Sequence, residues 1–432
     1  MTARSRNLPK IFKAGNNFQD CVALIDISRV CRRWREIALT DSSLWSSIYI
    51  HLDNPTAASF QKTTYFADTC LWRSLDLPLT IVVTLTNLSE LRPAYPLMHA
   101  VIAHEVRWSR IAVNLTSHPQ SPESNVILIS ESDDEFTGIR GLSLRTAGSS
   151  NLKEFQSNMG PLFTYSMTQP LPALESLKIS CCDLLDSIYT LTKWLPLASN
   201  LHELEIKVTF DRFISNASEQ NQPIWLVAAA QTQVCPHFVL PSLQTLNIWT
   251  RLLPYFTCPA LEKYVMEMLS WRAQDLTEYL EFVERSGTPP SFRTIEIIKQ
   301  DDLLDIEYVR GSFLPTITSL YVTSPGRTFF EMFLERFPGG GDFRLLPGLE
   351  HLEVTACRSR YRLELSVLVA SRWNIGASRR TLRSVKLKEC FRLSPMLKLL
   401  LSPPRDGIDL TRVEWIWREI ARCVNEGLFL SV

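Results

Sequence analysis

One spacing recurs along the chain and limits what it can fold into. Leu174-x-x-Leu177-x-Ile179 is followed by Leu201-x-x-Leu204-x-Ile206, Leu243-x-x-Leu246-x-Ile248, Phe292-x-x-Ile295-x-Ile297 and Ile317-x-x-Leu320-x-Val322. Two fuller copies close the series, Leu349-x-x-Leu352-x-Val354-x-x-Cys357 and Leu382-x-x-Val385-x-Leu387-x-x-Cys390; Cys182 stands at the same offset in the first copy, and Leu142-x-Leu144 is an abbreviated one. Two apolar residues two apart point to the same side of an extended strand, so each copy is a short strand with one buried face. A single strand of this kind cannot bury that face alone, so successive copies must stack on one another. Many copies are entered through a Leu-Pro or Pro-Pro step, at Leu171-Pro172, Leu240-Pro241, Pro289-Pro290, Leu314-Pro315 and Leu346-Pro347, where proline ends a preceding helix and sets an extended entry.

The pattern resembles the leucine-rich repeat, L-x-x-L-x-L-x-x-(N/C). That resemblance implies parallel strands on a concave side, helices on the convex side, and a cysteine at the turn whose side chain bonds freed backbone groups. Cys182, Cys357 and Cys390 are therefore expected to be structural rather than metal ligands or nucleophiles. The repeat period is irregular, roughly 25 to 50 residues against the usual 20–29. Helices at Leu261–Arg285, Leu363–Trp373 and Glu414–Val424 account for part of the excess. Upstream, Leu79, Ile81, Val83 and Leu85 alternate as a strand, a helix is expected over Leu97–Val106, and Arg107-Trp108 introduces another strand.

The stretch before the repeats has a different period. Ile27, Val30, Cys31, Trp34, Ile37 and Ala38 fall within an arc of about 120° on a helix, the stripe that an amphipathic helix buries. Thr40-Asp41-Ser42 supplies capping oxygens for a second short helix carrying Leu44 and Trp45. Val30-Cys31-Arg32-Arg33-Trp34 followed by Ser43-Leu44-Trp45 resembles the second half of an F-box, and the opening Leu8-Pro9 and Ile11-Phe12 resembles a degenerate or truncated first half. With irregular tryptophan-containing repeats behind it, the chain is similar to the expanded F-box families of mushroom-forming fungi.

The resemblance implies an α/β architecture: a helical F-box-like segment over residues 1–50, then an irregular leucine-rich-repeat solenoid over 51–432 with a C-terminal helical cap. It also implies a function, that of the substrate-recognition adaptor of an SCF-type cullin–RING ubiquitin ligase. Leu8, Pro9, Ile27, Val30, Cys31, Trp34, Ile37, Leu44 and Trp45 would meet the Skp-type adaptor. The outward strand positions would meet a protein substrate, among them Lys178, Glu205, Asn247, Trp249, Glu296, Tyr321, Glu353 and Lys386. A second reading keeps the repeats as a protein-interaction scaffold whose F-box has decayed and lost its ligase contact.

Charge and motif content narrow the alternatives. Lys+Arg and Asp+Glu number 45 each, so no net field favours nucleic acid or an anionic membrane. No apolar run reaches the roughly 18–20 residues of a membrane span, and no secretory signal opens the chain. An intracellular protein, cytoplasmic or nuclear, with reduced thiols is expected, because none of the ten cysteines forms a C-x-x-C pair. No catalytic motif is present: no H-E-x-x-H, phosphate loop or G-x-S-x-G. Cys235-Pro236-His237 lacks an orienting third group, and Asp301, Asp302 and Asp305 lack the rest of a calcium loop. No enzyme, metal or cofactor is expected.

Overall fold

The computed structural model describes residues 28–88, 92–117, 143–144, 151–158, 164–165, 170–181, 191–192, 194–208, 237–267, 273–298, 316–334, 346–358, 361–373, 381–390 and 417–431. The chain is mixed α/β and divides into two compact units, Met1–Ser199 and Asn200–Val432.

In the first unit, helix α1 (Arg32–Thr40) and a 3-10 turn (Ser42–Trp45) lead into strand β1 (Ser47–Asp53). Helix α2 (Ala57–Arg73), strand β2 (Leu79–Leu88), helix α3 (Tyr95–Ile102) and strands β3 (Trp108–Ser117), β4 (Glu154–Ser157) and β5 (Ser176–Cys181) follow. The five strands pair in parallel in chain order. Residue 50, the expected end of the F-box-like segment, lies within β1, so the helical segment runs into the sheet without a break.

The second unit repeats this order with β6 (Glu203–Val208), β7 (Thr245–Ile248), β8 (Lys263–Glu267), helix α4 (Ala273–Arg285), β9 (Thr294–Ile298), β10 (Ser319–Thr323), helix α5 (Arg327–Leu334), β11 (His351–Thr355), helix α6 (Arg362–Trp373), β12 (Ser384–Lys388), helix α7 (Arg418–Asn425) and β13 (Phe429–Ser431). These strands too are parallel and paired in sequence order. Parallel neighbours need a crossover between them, and among the described residues helices and 3-10 turns supply several of these crossovers.

The apolar spacing is explained by burial. Leu177, Ile179, Leu204, Ile206, Leu246, Ile248, Ile295, Ile297, Leu320, Val322, Leu352, Val354, Val385 and Leu387 all lie in the core. The leading residue of five copies is held by a tight turn. Leu174 N–H donates to Leu171 O at 3.1 Å, Leu243 to Leu240 at 3.4 Å, Leu261 to Cys258 at 3.3 Å, Phe292 to Pro289 at 3.0 Å and Leu349 to Leu346 at 3.1 Å. The residue after the first in each turn is proline, whose fixed φ suits the second position of a β-turn.

Strand exits are equally regular. Ser324, Ala356 and Glu389 each take a left-handed conformation (φ 55°, 53° and 52°) one residue past a strand. The first two donate across the ladder, to Thr355 O and Lys388 O, each at 2.8 Å. Cys357 and Cys390 follow, both buried. The Cys357 N–H donates to Cys390 Sγ at 3.4 Å and the Cys390 thiol donates to Val354 O at 3.1 Å, so these cysteines satisfy turn backbone as expected. Cys182 lies outside the described residues.

Sequence and structure differ at several elements. Leu261–Arg285 is not one helix: Lys263–Glu267 is strand β8, and α4 begins at Ala273. Leu261-x-x-Tyr264-x-Met266 behind Pro259 is itself a copy of the repeat, with all three apolar residues fully buried, and Tyr and Met stand where leucines are usual. Strands β1 and β4 and the closing strand β13 also have no counterpart in the sequence reading. The expected helix from Ile27 to Ala38 is interrupted at Cys31, whose backbone is extended (φ −156°, ψ 170°), and α1 starts after it.

Candidate functional site

Two surfaces bear on function. The first belongs to α1. Its N-terminal break is closed by Arg35, whose Nε donates to Ser28 O at 2.9 Å, and its far end is set by Asp41, which accepts from Ser43 N–H at 3.0 Å as the capping sequence suggests. The apolar stripe on this helix is not covered. Trp34 is 49% and Ile37 52% exposed, Val30 ahead of the Cys31 break is 68% exposed, Leu39 on the other side of the helix is 46% exposed, and Ala38 is the buried residue of the helix. The sequence alone implies that a stripe of this kind faces a core; within the chain it faces outward. Cys31 is exposed as well, and Leu44 is half-buried.

Trp45 has a different place from the one expected. It is 2% exposed, its indole N–H donates to Ala38 O at 2.6 Å, and the Arg73 guanidinium of α2 sits 4.8 Å from its ring. A ring covered in this way cannot itself touch a partner; it anchors α1 to α2. Leu8, Pro9 and Ile27 lie outside the described residues.

The second surface is the outward face of the second unit's strands. The ladder brings most of the expected residues into one row: Glu205 beside Asn247, Asn247 beside Val265, Val265 beside Glu296, Glu296 beside Tyr321, Tyr321 beside Glu353, and Glu353 beside Lys386. Glu205, Glu296, Tyr321, Glu353 and Lys386 are half-buried in it. Trp249 lies just past β7, half-buried, with the Arg251 guanidinium 4.8 Å over its ring. Lys178 is in β5 of the first unit, beside Gln156.

The row is electrostatically matched. Glu205 pairs with Lys207 at 2.5 Å and Glu296 with Lys263 at 2.5 Å. Glu353 lies between Lys388 (2.5 Å) and Lys386 (3.6 Å), and its hydrogen bond raises the Lys388 pKa. Lys263 also stands 5.6 Å over the Tyr321 ring. Lys263 and Val265 were missed from sequence because their strand reads as helix; the Pro259 turn and the Leu261–Tyr264–Met266 spacing are the signal that identifies it.

One member of the row is misplaced by the sequence reading. Asn247 is 7% exposed and Val265 beside it 5%, so the face is closed at these two strands. Alternation decides which side of a sheet a residue points to, not whether that side is open. Among the described residues no group of three or more His, Cys, Asp or Glu side chains could hold a metal ion, and no helix is long and apolar enough to cross a membrane.

Comparison with known families places a name on the first surface alone. Residues 8–51 match the family model described as F-box-like, a span that takes in the opening Leu8-Pro9 step as well as α1 and the 3-10 turn. No curated protein matches the chain.

Proposed function

We propose, from an F-box-like segment that leaves its apolar stripe uncovered, that this chain is the substrate-recognition adaptor of an SCF-type cullin–RING ubiquitin ligase. The observation that carries the reading is the exposure of Trp34 and Ile37 on one short helix, with Val30 exposed just ahead of it. Large apolar groups grouped in water mark surfaces that a partner covers. F-box domains in general bind Skp-type adaptors, so a Skp-type adaptor within the cullin complex is the partner proposed for α1.

The strands behind it are read as an irregular leucine-rich-repeat solenoid whose outward row, from Glu205 to Lys386, holds a protein substrate. Supporting this are the sequence-ordered parallel strands, the buried L-x-L pairs and the turn cysteines. Matched lysines and carboxylates on the row favour a partner chosen by shape and hydrogen bonding over one chosen by net charge. The chain itself is proposed to transfer no ubiquitin and to use no cofactor.

Co-purification of the full chain with a Skp-type adaptor tests the reading. The unaltered chain is expected to hold the adaptor through gel filtration, and a Trp34→Ala, Ile37→Ala variant to lose it while its circular dichroism is unchanged. Absence of binding by the unaltered chain would falsify the ligase assignment.

A further inference from the structure

Helix α2 turns Phe60, Thr63, Ala67, Cys70 and Leu71 inward. On the opposite side stand Tyr65 and Trp72, each 76% exposed. Seven residues apart, they share a face about 10 Å along the axis. Leu75 continues the line just past the helix end, 65% exposed and in the left-handed conformation at φ 50°. Glycine or asparagine normally takes that position, because a Cβ there clashes with the backbone. Leu346 shares the conformation at φ 47°, but it is fully buried, so apolar burial offsets its strain. Leu75 has no such return within the chain.

The conformation is nevertheless clamped. Arg107 donates from Nη2 to Ser74 Oγ at 2.6 Å, from Nη1 to Leu71 O at 3.1 Å and from Nε to Leu77 O at 3.3 Å, holding the backbone on both sides of Leu75. Strain that the surroundings enforce is a pointer to function. The two aromatic rings leave on the order of 200–400 Å² of surface uncovered, the size at which a patch signifies binding.

What covers the ridge is indicated by its attachment. Between Trp72 and Leu75, Arg73 stacks on Trp45, and Trp45 is hydrogen-bonded to α1, so the ridge and the α1 stripe are fixed to one another. Around that stripe Arg29, Arg32, Arg33 and Arg35 are exposed against Glu36, which calls for an acidic partner surface. We propose that Tyr65, Trp72 and Leu75 form a second contact ridge for the same acidic Skp-type adaptor that α1 engages. The proposal rests on the adaptor reading above.

The test is titration of a Skp-type adaptor onto the full chain, with melting temperatures measured in parallel. A Tyr65→Ser, Trp72→Ser variant is expected to bind roughly tenfold more weakly or worse, as for central aromatic anchors. Leu75→Gly separates binding from folding: it is expected to melt higher, because its strain is relieved, yet to bind several-fold more weakly. If both variants bind within about twofold of the unaltered chain while Trp34→Ala does not, the ridge is excluded and the adaptor reading stands. If the Tyr65/Trp72 variant melts well below the unaltered chain, Leu75→Gly alone decides. Should the unaltered chain fail to bind, both readings fall.

Discussion

Single side chains around α1 divide into those left exposed and those that hold such residues in place. Trp34 and Trp45 were equivalent in the sequence, two tryptophans at the separation seen in an F-box, yet one is half exposed and the other is covered. What separates them is the reach of the chain: Trp45 follows a capped turn that points its indole back at Ala38, and no spacing rule encodes that. Trp45→Phe keeps the ring and deletes one buried hydrogen bond, so a loss of about 1 kcal/mol is expected in urea unfolding. An unchanged midpoint would mean that the indole N–H holds nothing. Asn247 carries the same lesson, since its strand position is legible but the closing of the face over it is not.

At the scale of elements, the repeat was legible wherever Leu, Ile or Val filled its slots, and β6, β7, β9, β10, β11 and β12 all follow from it. It was hidden at β8, where Leu261, Val265 and Leu269 also satisfy a helical period and local pattern cannot choose between them. Strand β1 was hidden because Ile48 and Ile50 sit directly behind a helical signature. A further device joins the elements and was visible only as recurring arginines. Arg107 donates to Leu71 O and Leu77 O, Arg285 to Leu253 O (2.8 Å) and Phe256 O (3.0 Å), and Arg372 to Phe333 O and Leu346 O (2.8 Å each). Each arginine reaches back roughly 26–39 residues to turn and helix-end carbonyls, adding a second donor where, as at Leu346 O and Leu253 O, a local N–H already bonds. Arg372 is 1% exposed, so Arg372→Met removes a donor from Phe333 O and from Leu346 O, which keeps the Leu349 N–H, at a cost of about 1–3 kcal/mol. Faster hydrogen exchange at His351–Thr355 is the readout; unaltered protection there would show that the carbonyls find water instead.

Taken whole, the chain separates the two tasks assigned to it. The apolar residues proposed to meet the adaptor, Val30, Trp34, Ile37, Tyr65, Trp72 and Leu75, belong to the first unit, whereas the charge-matched row from Glu205 to Lys386 belongs to the second, which exposes apolar residues of its own at Val239 and Phe429. On the adaptor reading, altering the row changes what is captured and leaves docking intact. A Lys386→Glu, Lys388→Glu variant, which strips Glu353 of both lysines, is expected to retain the Skp-type adaptor. Its set of neighbours, recorded by proximity labelling with the proteasome inhibited, is expected to shift; an identical set would remove the row from recognition. The sequence-ordered pairing of the strands has an evolutionary corollary. Because β1–β5 in the first unit and β6–β13 in the second pair in sequence order, one strand with its crossover can be duplicated or deleted and the flanking edges still fit together. A gene with this layout can lengthen, shorten or re-letter its strand row piece by piece, leaving the F-box-like segment untouched.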